Sequence, residues 1–409
     1  MKKALIIIVS LLSFYLHAQD QKETLKIYLD CEYCDSDYYK QELEYVEFVR
    51  DRKFADVHIF FTTQNNATNG DKYTIEFTGN NNYKLINDKL EFSTTGETTT
   101  DQERAVILKH LRIGLFRYWM ANGLKDKISL TIKKENKEKE TKVAVDPWNK
   151  WTFRLSGRGY FNGEESSTSR YLNGSFTIKQ VKEKNKFMLH FGLNNSKSVY
   201  KSDDKDIISE RKSSYIYSSD VYSLNNHLSV GVFAQAGNSL FSNKAFYYSV
   251  KPGVEYNLFD YKDSEKKAIY LNYKVGTVFN RYYEETVFGE TEELLWQHNL
   301  TLGALIVQKW GNISGGIEYR TYLHDLDLNG FNVNLNTNLK IFKGFSVNLW
   351  GNYGLSHDQI NIGAGGSSIE ELLLQQKQLK SGYSYYGGVG ISYTFGSIYN
   401  TIVNPRFDL

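Results

Sequence analysis

Phe331-Asn332-Val333-Asn334-Leu335-Asn336-Thr337-Asn338-Leu339-Lys340-Ile341 alternates in polarity, and after Phe342-Lys343-Gly344 the alternation resumes with Phe345-Ser346-Val347-Asn348-Leu349. Side chains repeat every second residue in an extended strand, and two such runs around a short turn make an antiparallel hairpin. Phe331, Val333, Leu335, Leu339 and Ile341 form one row, with Thr337 its soft spot, and the asparagines and Lys340 form the other. The second run continues through Tyr353 and Leu355 against Asn352 and Ser356. A solvated soluble sheet usually carries Lys, Glu and Thr on its polar face. Asn332, Asn334, Asn336 and Asn338 instead suit a wall with one side in lipid and the other lining a wet, confined interior. The competing reading is the exposed face of a soluble β-sandwich.

Composition narrows the choice. The 409 residues leave room for two domains, and Tyr 31 and Phe 24 against Pro 3 favour strands. Mean hydropathy is −0.48. No apolar run beyond the N-terminus reaches the roughly 18 residues of a membrane helix. A helical membrane protein is excluded on this ground, but a barrel is not, because only alternate residues of its strands are apolar. A net charge of +2 gives no case for a nucleic-acid partner.

Residues 1–18 are expected to be a secretory signal peptide: Lys2 and Lys3, an apolar core from Ala4 to Leu12, and Leu16-His17-Ala18 before cleavage at Gln19. A retained anchor is the alternative, opposed by the short core. Residues 19–146 are expected to form a periplasmic α+β domain in the order β-α-β-β-β-α-β. Its strands are centred on Leu25–Leu29, Ala55–Thr63, Lys72–Thr78, Lys89–Thr94 and Ile128–Ile132. Asp35 or Ser36 caps a first helix running to about Asp51, with Leu43, Val46 and Val49 on one side. Thr100 and Glu103 form a capping box for a second, in which Val106, Ile107, Leu111, Leu115, Phe116 and Trp119 hold helical spacing up to Asn122-Gly123. The charged run Lys133–Lys142 is expected to be a solvated linker or strand end.

Residues 147–409 are expected to be an all-β transmembrane antiparallel barrel of about twelve strands. Their centres lie near Leu155, Ser175, Phe191, Tyr215, Val232, Val254, Val275, Leu302, Ile317, Leu335, Leu349 and Val389. Ten or fourteen strands are the alternatives. An even number puts both chain ends on the periplasmic side, and tight turns alternate with longer loops as the two rims of such a barrel require, except that Asp260–Lys267 is long for a periplasmic turn and Asn238–Asn243 short for an outer loop. Trp151, Tyr248, Tyr256, Tyr319 and Tyr393 fall near strand ends in the apolar rows, where an interfacial girdle belongs.

Several stretches together carry a family resemblance: the secretory signal, Asp30-Cys31-Glu32-Tyr33-Cys34-Asp35, Val49-Arg50-Asp51-Arg52, Ala55-Asp56-Val57-His58 and the ending Tyr393-Thr394-Phe395-Gly396-Ser397. With these the chain resembles uncharacterised bacterial outer-membrane β-barrel proteins with a small N-terminal periplasmic domain. The resemblance implies location and architecture, and no functional residues. Asp408 and Leu409 after Phe407 depart from the terminal aromatic with which many such barrels end.

Among residues that carry chemistry, Cys31 and Cys34 are spaced C-x-x-C before a helix. In an oxidising compartment a structural disulfide is the expected state. Redox activity is opposed by Asp30, Glu32 and Asp35, which raise a thiol pKa, and metal binding by the lack of a second ligand pair. His227 and Ser229 form H-x-S beside a tight turn and are read as two polar residues at a strand start. Gly363–Ser368 is read as a flexible loop followed by a Leu372–Leu379 helix that caps the pore. The expected lumen carries Arg154, Arg158, Lys179, Lys251, Lys274, Arg320 and Lys340 against Glu255 and Glu318. This basic excess favours anionic solutes, and the alternative is an interior zipped shut by ion pairs.

The expected function is a passive pore for small solutes with a modulating periplasmic domain. The rival is a closed barrel anchoring a partner-binding domain in an assembly role. No enzyme activity, cofactor or metal is expected. The expected partners are outer-membrane lipid, the barrel-insertion machinery and another envelope protein meeting the N-terminal domain.

Overall fold

The computed structural model describes residues 24–31, 34–129, 146–201, 206–342, 344–365 and 377–397. The signal segment, the Lys133–Lys142 run and residues 366–376 lie outside them. Two compact units are formed.

In the first unit, β1 (Leu25–Asp30), α1 (Ser36–Glu42), β2 (Val46–Phe48), β3 (Val57–Asn65), β4 (Asp71–Gly79), β5 (Asn87–Ser93) and α2 (Thr100–Ala121) follow in order. The sheet runs β2-β1-β3-β4-β5, with β1 parallel to β2 and β3 and the rest antiparallel. Leu25, Ile27, Val57, Ile59, Tyr73, Ile75 and Phe77 are buried in one cluster with Ile107, Leu108, Leu111, Leu115 and Tyr118 of α2. Period two on the sheet thus meets period 3.6 on the helix.

Three expectations change here. The first helix stops at Glu42 rather than near Asp51, because Val46–Phe48 pairs with β1 as a parallel strand. Leu43, Val46 and Val49 at spacing three suit a helix alone; a three-residue strand is too short to show period two, and pairing with β1 decides. The capping box of α2 is built from Thr99 and Gln102, one residue earlier than expected. Glu103, released from that role, accepts a hydrogen bond from the Tyr73 hydroxyl. Ile128 and Ser129, where a last strand was expected to begin, are not in a strand; residues 130–132 lie outside the described residues.

The second unit is a twelve-stranded antiparallel sheet in strict sequence order. Its strands are β6 (Trp151–Gly163), β7 (Ser167–Val181), β8 (Asn185–Tyr200), β9 (Ile207–Ser223), β10 (Leu228–Ser239) and β11 (Lys244–Asn257). They are followed by β12 (Lys267–Tyr282), β13 (Glu292–Gln308), β14 (Gly311–Tyr322), β15 (Asp325–Phe342), β16 (Phe345–Ser356) and β17 (Tyr383–Tyr393). Each expected strand centre lies within one of them, and the count of twelve holds. Among the described residues no ladder joins β6 to β17, so these two stand at the ends of the hydrogen-bonded order.

The opening hairpin is β15–β16, in register Phe331↔Leu355, Val333↔Tyr353 and Asn334↔Asn352. Its soft spot is satisfied locally: the Thr337 hydroxyl donates to the Asn312 carbonyl at 2.9 Å. Short turns lie at one rim (182–184, 224–227, 309–310); the other carries the 283–291 connection and the segment 357–382 but also the short turns 164–166, 240–243 and 323–324, so the expected alternation holds only in part. The 258–266 connection is the long exception on the short-turn side.

Candidate functional site

Following the ladders strand by strand assigns each residue to a face. Leu155↔Phe176, Phe176↔Phe191, Phe191↔Ile216, Leu271↔Leu302, Leu302↔Ile317 and Ile317↔Val333 run along one face as a continuous apolar band. Trp151, Tyr256 and Tyr393 lie on that face at the short-turn rim, and Tyr248 and Tyr319 near the other. The apolar band is the exposed one: Leu302 and Leu335 are each 44% exposed. The polar face holds the buried residues, among them Ser219, Ser249, Gln297 and the fully buried Asn280. Water-soluble proteins bury apolar surface. This inversion is what lipid outside and water inside demand.

The same registers place Arg154, Arg158, Lys179, Lys251, Glu255, Lys274, Glu318 and Arg320 together on the polar face, with Lys340 at its short-turn end. Their partners divide them. Lys251 Nζ donates to Gln297 Oε1 and, at 2.7 Å, to Asn299 Oδ1. Asn299 Nδ2 donates to Glu318 at 3.3 Å, and Glu318 lies 3.8 Å from the Arg320 guanidinium. Arg320 in turn pairs with Asp358, beyond the end of β16. Lys274 Nζ sits 3.8 Å from the centroid of the Phe233 ring, a cation–π contact. Glu255 accepts from Tyr261 at 3.2 Å and from Asn272 at 3.4 Å. Among these basic groups Arg320 is paired with carboxylates, Lys251 and Lys274 are held by amide oxygens and an aromatic ring, and on β6 Arg154 and Arg158 have no ion-pair partner among the described residues.

The described residues that follow β16 bond to connections several strands away. Asn361 Nδ2 donates to the Ser242 carbonyl at 3.0 Å and to Gln378 Oε1 at 2.8 Å, and the Gln378 N–H donates to the Phe241 carbonyl. Val287 N–H donates to Ile362, Ala364 N–H to Glu285, and Lys377 pairs with Glu284 at 3.0 Å. The segment is thereby tied to the β10–β11 and β12–β13 connections, with Ile360 and Asn361 buried. Lys377–Leu379 are not helical, and the rest of the expected Leu372–Leu379 helix lies outside the described residues.

Sequence reasoning missed Asp358, Asn361, Gln297 and Asn299. The last two were legible, since the period that assigns Lys274 and Glu318 to the polar face assigns them too. Nothing local signals the Arg320–Asp358 pair, because a whole hairpin separates its members.

Two other groups are settled by contacts. His227 binds the Asn257 carbonyl through Nδ1 at 2.9 Å and Asp260 through Nε2 at 3.0 Å, while Ser229 turns to Ser223. His227 and Ser229 therefore act apart. In the first unit Cys31 and Cys34 are joined by a disulfide. It follows Asp30, which forms a buried pair with His58 at 3.1 Å.

No protein-family model matches the chain, and no curated protein matches it. Among solved structures it is similar to a NanC porin, at 8% identity and TM-score 0.30, covering 60% of this chain and 100% of that one. It is also similar to the translocator domain of the autotransporter NalP from Neisseria meningitidis, at 10% identity and TM-score 0.29, covering 60% and 88%. The twelve-stranded antiparallel sheet is defined by its own ladders and its own burial.

Proposed function

We propose that the barrel sits in a bacterial outer membrane and passes small solutes passively through its interior, with the N-terminal unit in the periplasm modulating entry. The observation that carries this reading is the inverted polarity: an exposed apolar band on one face of the sheet and a buried polar row on the other. Such a wall satisfies its backbone between strands and its side chains in water, which is the condition for crossing hydrocarbon. The segment held by Asp358 on Arg320 acts as the constriction. No catalytic group set is proposed, nor any cofactor.

Single-channel recording on the full mature protein tests this. Stable steps are expected, with a reversal potential under a salt gradient that favours anions. Asp358→Asn removes one charge-assisted bond of about 1.5–3 kcal/mol, enough to shift a closed-to-open ratio by tenfold or more. Its open times lengthen accordingly. Silence from folded protein of both kinds overturns the pore. The second reading, a closed barrel that anchors a partner-binding periplasmic unit, is favoured by the bonded chain Lys251–Asn299–Glu318–Arg320–Asp358 along the inner wall.

A further inference from the structure

The short-turn end of the interior holds a cavity of about 410 Å³. Its lining includes a pair of glycines. Gly231 on β10 and Gly253 on β11 are direct cross-strand partners on the polar face, so two neighbouring wall positions carry no side chain. The recess is bounded by Phe233, Tyr217, Ser219, Ser229, Glu255 and Tyr261. Tyr261 comes from the 258–266 connection, the one long turn at this rim, which folds back so that its hydroxyl reaches Glu255. The exceptional length of that connection thus has a structural use: it closes the end of the recess.

We propose that this recess binds a small, neutral, polyhydroxylated solute, which pauses there on its way through the barrel. Passage itself rests on the pore reading above; binding does not. Four hydroxyls, from Tyr217, Ser219, Ser229 and Tyr261, each donate and accept, which matches a ligand dense in hydroxyl groups. Glu255 accepts from Tyr261 at 3.2 Å and Asn272 at 3.4 Å, and Ser229 meets Ser223 at 3.4 Å. These contacts are at the long end of hydrogen bonding, so the groups are oriented while accepting capacity remains. The lining carries Lys182 and Lys186 beside Glu183 and Glu255, so its charges balance and favour a neutral ligand over either an anion or a cation. An apolar ligand of equal size would leave buried hydroxyls unpaired, which a site built for hydrogen bonding rejects strongly. The Phe233 edge of the recess offers the apolar patch against which the C–H side of a sugar ring packs. The volume lies in the range of small-molecule sites.

Saturation-transfer NMR on the full chain, folded in detergent, measures this without reference to conductance. Glucose is expected to bind saturably, glucuronate more weakly and cyclohexanol not at all. Glu255→Gln and Tyr261→Phe each weaken glucose by about tenfold, the effect of one good hydrogen bond. Circular dichroism confirms that both variants keep their strand content, and Tyr261 lies outside the strands, so at least one variant reports on binding alone. No saturable glucose binding, a preference for glucuronate, or unchanged affinity in both variants overturns the proposal. Channel steps without glucose binding would sink this inference alone, and glucose binding without steps would sink the pore alone.

Discussion

Leu335 is 44% exposed, yet it should behave as a core residue. In a water-soluble sheet, replacing so exposed a leucine by arginine changes stability by less than about 0.5 kcal/mol. On a lipid-facing strand the same change costs about 2–4 kcal/mol near the bilayer centre. Leu335→Arg is therefore expected to lower the fraction assembled in vesicles sharply, whereas Asn334→Arg, one residue away on the polar face, leaves it near wild type. Equal behaviour of the two would return the sheet to the soluble class. Gly114 makes the opposite point in the first unit. A Cβ there would lie 2.1 Å from the Phe77 ring, so α2 approaches β4 through the glycine. Alanine gains about 1 kcal/mol of helix propensity and loses roughly 1–3 kcal/mol to overpacking. Since 2.1 Å is far inside van der Waals contact, the loss wins, and Gly114→Ala is expected to lower the urea midpoint of this unit. The sequence pattern put the lipid row and the helix face in plain view. It hid the glycine, because a close approach leaves no trace in hydrophobic spacing.

Among the elements, α1, β4 and α2 each contribute a tyrosine to one core. Burial pushes the Tyr118 hydroxyl up to about 12, and it donates to the Ile86 carbonyl at 2.6 Å. Burial first, and the Glu103 carboxylate second, raise Tyr73, while burial and Asp35 raise Tyr39. Above pH 10 the unfolded chain releases these protons and the folded chain keeps them, so the unfolded state binds fewer protons. The stabilisation is complete below pH 10 and is lost as pH rises through the folded values. Each tyrosine contributes a slope of about 1.4 kcal/mol per pH unit. The urea midpoint of the first unit, followed by amide exchange in α2, is expected to be flat from pH 8 to 10 and to fall steeply beyond. Tyr73→Phe makes the fall shallower, and an unchanged slope would show that Tyr73 titrates normally. The strands β1, β3, β4 and β5 of this unit were legible in order, with boundaries shifted by a residue or two, whereas the strand expected from Ile128 does not begin there. The β2 segment was not legible, because Val46 and Val49 hold helical spacing and only the edge of β1 selects the strand.

At the scale of the molecule, the twelve strands and their facing were legible because the sheet obeys one rule throughout: period two, with neighbours in sequence paired in space. What escaped was everything that crosses between non-neighbours, from the Arg320–Asp358 pair to the ties of the segment after β16. The two end strands bear on this directly. Hydrocarbon tolerates no unpaired backbone, so β6 and β17 must join on insertion. They run antiparallel to each other, as an even strand number dictates. A scan of cysteine pairs between Phe153 or Leu155 on β6 and Val389 or Ile391 on β17 is expected to give one efficient crosslink in membranes and none in the unfolded chain. The native cysteines are already bonded to each other and do not interfere. No crosslink from any pair in assembled protein would mean that the barrel closes otherwise.

Asn361 and Gln378, on either side of residues 366–376, are both tied to the β10–β11 connection, several strands away from their own. In a closed wall, ties of this kind would act as a chord, and a chord divides a circle into two windows. The largest object that enters is then set by the wider window and not by the circumference. Adding a hairpin to the wall would change the sieve little, whereas untying one end of the chord would merge the windows and reset the size limit in one step.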